Sequence, residues 1–295
     1  MDWVSIHGKL KRVVVNIYPG YPGYIICKQM PTFGWKNNTV YFVGAGPGDP
    51  ELITVKGARM LSEADLIVYA DSLVSEELLS HTKTGAVVYK SSGLTLEAVL
   101  EILEKGVLEN KKVVRLHTGD PSVFGAIYEQ IVILKQKGIQ TEVIPGVSSV
   151  FAAAAAVQAE LTIPELAQTV ILTRTEGRTP VPEKETLRSL AQHECTLAIY
   201  LSATLAEKVT SELIEAGWER NTPVVIVYKA SWPDQKIIRT TVEMLANAME
   251  QNKIKSQTMI LAGKALGVYD NDVSTRSRLY DGNFAHKFRK AKNES

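Results

Sequence analysis

The chain lacks an excess of charge. Thirty-three Lys and Arg face 32 Asp and Glu, so 295 residues carry a formal net charge of +1. That balance gives no electrostatic case for nucleic acid as a partner. Cysteine is scarce: Cys27 and Cys195 lie far apart and in no metal-ligand spacing. We therefore expect no metal site and no structural disulfide, and read both as reduced thiols of a cytoplasmic protein. No apolar run approaches the roughly 20 residues that span a bilayer, so no membrane partner is expected. Residues 147–157 are apolar but short and alanine-rich, which reads as a buried helix. No Gly-Lys-Ser/Thr closes a phosphate loop and no G-x-S-x-G marks a nucleophile. Internal repeats and low-complexity segments are absent as well.

What is present is a sharp turn after a buried run. Val40-Tyr41-Phe42-Val43 leads into Gly44-Ala45-Gly46-Pro47-Gly48-Asp49-Pro50, and apolar residues at helical spacing follow (Leu52, Val55, Ala58, Leu61). That order predicts strand, tight turn, helix. The spacing is not that of a dinucleotide fingerprint, because Asp49 stands where G-x-G-x-x-G needs its third glycine. A carboxylate there would repel a pyrophosphate, and Pro47 removes an N–H donor. The loop suits a neutral or cationic ligand better.

Two further stretches repeat the form. Arg115-Leu116-His117-Thr118-Gly119-Asp120-Pro121 and Val143-Ile144-Pro145-Gly146-Val147-Ser148-Ser149 each run from a strand into a glycine turn and then a helix. In an open α/β sheet, ligands bind at the carboxyl ends of the strands. Three turns at one edge point to a site, although Asp120 and Ser148 singly read as ordinary helix caps. Asp49, His117 and Asp120 are the candidate proton acceptors, with a packed core histidine as the bland reading of His117. Asp71 is a candidate ribose ligand or a plain turn residue.

Alternation of strands and helices from residue 39 predicts α/β architecture with a largely parallel sheet. Strands are expected near 39–43, 66–70, 86–89, 112–116 and 142–144, with helices at 53–64, 75–80, 94–108 and 122–137. After residue 157 the pattern resets. Strands are expected at 169–173, 196–201, 224–228, 236–240 and 258–262, and helices at 184–192, 204–216 and 242–250. No helix separates residues 228 and 236, so those strands should pair antiparallel around a turn at Trp232-Pro233-Asp234. The expected organisation is a leader at 1–38, an N-terminal α/β domain at 39–157, a C-terminal α/β domain at 158–282 and a tail at 283–295. The leader is turn-rich (Tyr18-Pro19-Gly20-Tyr21-Pro22-Gly23) and lacks the apolar core of a signal peptide. It reads as a poorly ordered or mis-assigned start, or as a short accessory element.

At these turns the chain resembles the tetrapyrrole (precorrin) methyltransferases. Residues 43–54 (VGAGPGDPELIT) are similar to the family's first signature, Thr118-Gly119-Asp120-Pro121 with Phe124-Gly125 to its second, and Pro145-Gly146-Val147-Ser148-Ser149 to its third. Tyr69-Ala70-Asp71-Ser72-Leu73-Val74, residues 173–180 (TRTEGRTP) and Tyr228-Lys229-Ala230-Ser231-Trp232-Pro233 resemble the branch acting on C11 of precorrin-4. The resemblance runs from about residue 40 to about 282. It implies two α/β domains with the cofactor site between them, S-adenosylmethionine (SAM) as methyl donor, S-adenosylhomocysteine as product, a homodimer and a tetrapyrrole acceptor. By position, Pro47, Thr118, Gly119, Asp120, Val123, Ser148 and Ser149 would hold the cofactor from one domain, and Tyr200, Leu201, Ala230 and Thr258 from the other. The first glycine loop, with Gly46 and Asp49, would face the macrocycle.

The acceptor carries many carboxylates, so donors are expected around it. Arg174, Arg178 and Lys229 are the candidates, with solvated surface charge as their bland reading. Cobalt-bearing and metal-free acceptors are not distinguished by these motifs. Uroporphyrinogen-III methylation, the diphthine branch and a tetrapyrrole-binding module without turnover are the alternative functions.

Overall fold

The structure is a computed structural model that describes residues 12–14, 24–26, 34–270, 277, 281–285 and 287–290. Within the expected leader, strands β1 (Arg12–Val14) and β2 (Tyr24–Ile26) form an antiparallel pair. The remainder of the leader up to residue 33 lies outside the described residues. Residues 34–38 belong to the body of the protein. The Trp35 ring meets Tyr41 edge-on at 4.7 Å, and its indole N–H donates to Glu63 at 2.8 Å.

The first sheet is built from β3 (Thr39–Gly44), β4 (Leu66–Tyr69), β5 (Val87–Lys90), β6 (Val113–His117) and β7 (Gln140–Ile144). Its order is β5-β4-β6-β3-β7, with every neighbour parallel. Helices α1 (Val55–Glu63), α2 (Leu96–Leu108) and α3 (Ile127–Gln136) cover it. Tyr41, Val43, Ile67 and Leu116 pack with Met60 and Leu61 of α1 on one face. Val40, Phe42, Val68 and Val113 pack with Leu103 of α2 and Leu134 of α3 on the other. Burial on both faces explains why β3 and β4 read as apolar runs. Helix α2 follows its pattern: Thr95 caps it through Ala98 N–H, and Val99, Leu100, Leu103 and Val107 are buried. Leu103 is fully buried, and each such side chain contributes about 1.5–3 kcal/mol.

Two expected helices differ. The segment 75–80 is a 3₁₀ turn, Glu76–His81, capped by Ser75. The helix expected from residue 122 begins only at Ile127. Phe124 (φ 54°) and Ala126 (φ 50°) are left-handed, which breaks the helical path between them.

Helix α4 (Ser149–Ala156) leaves the first sheet. It precedes a second sheet of β8 (Val170–Arg174), β9 (Thr196–Tyr200), β10 (Pro223–Tyr228), β11 (Lys236–Thr241) and β12 (Thr258–Ala262). The order is β11-β10-β12-β9-β8; β8 and β9 run parallel and the other neighbours antiparallel. The pairing of Tyr228 with Lys236 closes the expected hairpin around 229–235. Helices α5 (Leu187–Ala191), α6 (Ala206–Glu215) and α7 (Leu245–Gln251) bury one face of this sheet against Leu197, Ile199, Val224, Ile226 and Ile260. The opposite face, with Ala198, Tyr200, Val225 and Leu261, is covered by Val150, Ala153 and Val157 from α4 and the residue after it. Chain order thus places α4 with the first sheet, and packing places it on the second. That crossing fixes the two sheets against each other and opens a cleft beside the strand ends.

Candidate active site

Strands β6, β3 and β7 are neighbours, so their three glycine turns meet at one edge. They touch backbone to backbone. A Cβ on Gly44 would stand 2.6 Å from Gly146 Cα and 2.7 Å from the Gly119 carbonyl oxygen, which only glycine avoids. Gly119 N–H donates to Gly46 O at 2.8 Å, and Ala45 N–H to His117 O at 2.7 Å. Asp120 joins the second turn to the third: its carboxylate accepts from Ser122 N–H at 2.8 Å and from Gly146 N–H at 2.9 Å. Gly119 sits at φ 59°, which turns the chain back over the strand end.

The second sheet supplies the facing wall. Tyr200, at the end of β9, shares a hydrogen bond of 2.8 Å with Ser148. Its ring lies 5.1 Å from Phe124. Burial pushes the Tyr200 phenol above its ordinary range, so it stays protonated. The loop after β10 hooks onto the first glycine turn. Trp232 packs on Gly48 and donates its indole N–H to Pro47 O at 2.9 Å. Ser231 Oγ accepts from Asp49 N–H at 3.0 Å. On the other flank Gln257 Nε2 donates to Ser72 O at 3.2 Å.

Between these walls is a cavity of about 360 Å³, within the usual size of small-molecule sites. Pro47, Thr118, Gly119, Asp120, Val123, Ser148 and Ser149 line it from the first unit, and Tyr200, Leu201, Ala230 and Thr258 from the second. Leu73, Thr204, Trp232 and Gln257 also line it. Leu73 and Trp232 stand in stretches quoted for the family resemblance but were not assigned to the site, and Thr204 and Gln257 were not singled out. Trp232 and Gln257 reach the cavity through contacts distant in sequence, and no local pattern announces such contacts. Leu201 is 64% exposed and Phe124 46%, so apolar surface is left uncovered at the mouth. Phe124, Leu201, Lys229 and Gln257 all have left-handed backbones; strain of this kind gathers at ligand sites.

The remaining candidates are placed differently. His117 is 5% exposed and does not line the cavity. It stacks on Phe42 at 5.8 Å, on the face of β6 turned to α3, and its Nε2 is buried without a hydrogen-bond partner. Desolvation, with Arg115 beside it, pushes its pKa from 6.5 down to about 3, so the ring is neutral. Arg115 itself is buried against Val68 O and Gln130. Asp49 caps the turn Pro50–Leu52 through Glu51 N–H and lies beside the cavity rather than in its lining, as does Gly46. Asp71 accepts from Ser92 N–H and Oγ, both at 2.8 Å, which is a turn contact. Lys229 lines the cavity but is paired with Asp234 at 2.7 Å, which raises its pKa. Arg174 and Arg178 lie outside the lining. Arg174 donates to the carbonyls of Thr179 (3.2 Å) and Pro180 (2.7 Å). Cys195 is buried and free. Among the described residues no group of His, Cys, Asp and Glu could hold a metal ion, and no helix is long and apolar enough to cross a membrane.

The polar lining of the cavity combines hydroxyls with the Asp120 carboxylate, the Gln257 amide and two lysines, Lys229 and Lys255, the first of them paired with Asp234. The family model for Tetrapyrrole (Corrin/Porphyrin) Methylases matches residues 39–246. A cobalt-precorrin-4 C(11)-methyltransferase of Priestia megaterium is 59% identical over 85% of this chain and 97% of its own length. One from Methanocaldococcus jannaschii is 52% identical over 86% and 97%. The X-ray structure of a cobalamin biosynthetic enzyme, cobalt precorrin-4 methyltransferase, superposes with a TM-score of 0.76 at 59% identity, covering 78% of this chain and 96% of that one. Uroporphyrin-III C-methyl transferase from Thermus thermophilus, complexed with S-adenyl homocysteine, has a TM-score of 0.67 at 29% identity, over 78% of this chain and all of that one. The three glycine turns thus stand in a fold and a sequence that place this chain among the tetrapyrrole (corrin/porphyrin) methylases.

Proposed function

We propose that the protein transfers a methyl group from SAM to C11 of cobalt-precorrin-4 in cobalamin biosynthesis. The observation that carries this is the 59% and 52% identity, along almost their whole length, to two proteins of that named activity. When bound, SAM supplies an electrophilic methyl group on sulfur, and S-adenosylhomocysteine leaves as an electron-rich ring carbon takes that group.

The chain's part is alignment and exclusion of water, which such an in-line displacement needs more than a strong base. Thr118–Asp120 and Ser148–Ser149 hold the cofactor on the first unit, with Tyr200, Leu201, Ala230 and Thr258 closing over it. Phe124 and Leu201 shed water from the mouth. The first glycine turn, held by Trp232 and Ser231, forms one side of the macrocycle trough. The macrocycle gives up a proton in the course of the transfer, from a position other than the methylated carbon, which ends fully substituted. His117 is buried away from the cavity and both Asp120 oxygens accept backbone N–H groups. Asp49 keeps a carboxylate oxygen without a hydrogen bond among the described residues, so we assign the acceptor role to Asp49. The reading includes a cytoplasmic homodimer, which rests on the family resemblance and which sedimentation would test.

Mass spectrometry of products from a panel of precorrins, with and without cobalt, tests the proposal. One added methyl on cobalt-precorrin-4, with S-adenosylhomocysteine formed in equal amount, is expected. Preferred methylation of metal-free precorrin-4 or uroporphyrinogen III would overturn it. Release of unchanged SAM and acceptor would indicate a binding module.

A further inference from the structure

Arg174 and Arg178 look alike in the sequence, and the structure separates them. Arg174 pairs in register with Tyr200 across β8 and β9, so both project from the sheet face that borders the cavity. Its guanidinium turns away to two backbone carbonyls, those of Thr179 and Pro180. The segment between is an arm pinned at both ends. Thr175 N–H donates to Ser202 Oγ at 3.0 Å, one residue from cavity-lining Leu201. Lys208 Nζ donates to Glu176 O at 3.0 Å, and its charge is met by Glu176 and Glu212. Beyond Thr179 the chain stiffens through Pro180 and Pro182. Gly177 and Arg178 form the exposed tip, with Gly177 close to Leu205. Arg178 has no hydrogen bond or ion pair among the described residues, whereas Lys229 across the cleft is neutralised by Asp234.

We propose that Arg178 takes a peripheral carboxylate of the macrocycle, and that Arg174 is a positioning residue that holds the arm for it. A guanidinium with both terminal nitrogens clamped to carbonyls is held in place by the chain, and its end-on fork is already engaged. A free one on a pinned loop keeps that fork open, at a low cost in ordering on binding. The inference rests on the proposed acceptor class, a polycarboxylate tetrapyrrole.

Binding of cobalt-loaded uroporphyrin, followed by its absorbance, tests it without turnover. Its octamethyl ester is the uncharged control, and SAM affinity and melting temperature are measured alongside. Arg178→Ala should weaken the acid on the order of tenfold, the scale of a charged hydrogen bond, and leave ester binding, SAM affinity and melting temperature unchanged. Arg174→Ala should give a similar loss, and the double variant no further loss. Wild-type binding of the acid by Arg178→Ala overturns the proposal, as does a loss in Arg174→Ala that exceeds and adds to that of Arg178→Ala. Equal wild-type affinity for acid and ester also overturns it. Should Arg174→Ala lower the melting temperature, Arg178→Ala alone still decides, since that exposed side chain supports no fold contact. Probe binding is independent of which carbon is methylated, so a wrong acceptor position would leave these results standing.

Discussion

At the scale of single residues, the site depends on backbone conformations as much as on side chains. Gly119 shows this. A Cβ there would meet Ser148 Cα at 3.7 Å, an ordinary contact, but φ is 59°. Gly119→Val therefore acts through the backbone: a left-handed β-branched residue costs about 1–2 kcal/mol or more. The turn should relax away from that geometry and weaken SAM binding by about tenfold or more, measured by calorimetry. Wild-type affinity in this variant would place the cofactor elsewhere. His117 offers a test by pH. Its pKa in the fold, about 3, lies below the ordinary 6.5. Between those values the unfolded chain binds a proton that the folded chain does not, so stability falls as pH drops through that window. By pH 5 the loss is about 2 kcal/mol, and it is absent above pH 6.5. Denaturant titrations of wild type and His117→Gln should diverge below pH 6.5 by that amount; parallel curves would contradict the burial argument. Asp49→Asn keeps an oxygen to cap Glu51 but removes the base. It should lower kcat on the order of tenfold to a thousandfold, within or near the usual general-base contribution, with SAM affinity unchanged. An unchanged kcat would end Asp49's assignment as proton acceptor.

At the scale of elements, the strands were legible and their partners less so. A continuous apolar run before a glycine turn identifies β3, which is buried along its whole length; β6, broken by Arg115, and the edge strand β7, with apolar residues only at Val143-Ile144, are marked more by the turns that follow them. Where α3 begins was not legible, since nothing local in Pro121-Ser122-Val123 announces the left-handed Phe124 and Ala126 that delay it. Helix α4 is apolar on most sides, so its pattern gives no direction. Only the structure shows that it packs on the second sheet. The reach of Arg174 was equally hidden, because a charge at a strand end can turn outward or back to the chain. Trp35 precedes the expected start of the N-terminal domain at residue 39 and packs on it through Tyr41 and Glu63. A chain beginning at residue 39 loses its contact with Tyr41 and its bond to Glu63. It should be about 1–3 kcal/mol less stable than one beginning at residue 34, from lost aromatic burial and one hydrogen bond. Equal melting temperatures would show that Trp35 contributes nothing.

At the scale of the whole molecule, function resides between two sheets that share no strand. One sheet brings three turns to an edge, the other brings Tyr200 and the Trp232 hook, and α4 ties them together. The sequence signatures announced the first half of the site, since its turns are local. The second half meets it through contacts between residues more than fifty positions apart, and family resemblance supplied part of what local pattern could not. The account's central claim is that this cleft directs a methyl group from SAM to C11 of a cobalt corrinoid precursor. The most direct measurement uses SAM labelled with ¹³C in its methyl group and cobalt-precorrin-4 as acceptor. The site of the label in the isolated product is then read by NMR after removal of the metal. The account predicts a single labelled methyl on a quaternary carbon at C11. A label at any other ring position, or none, would contradict it.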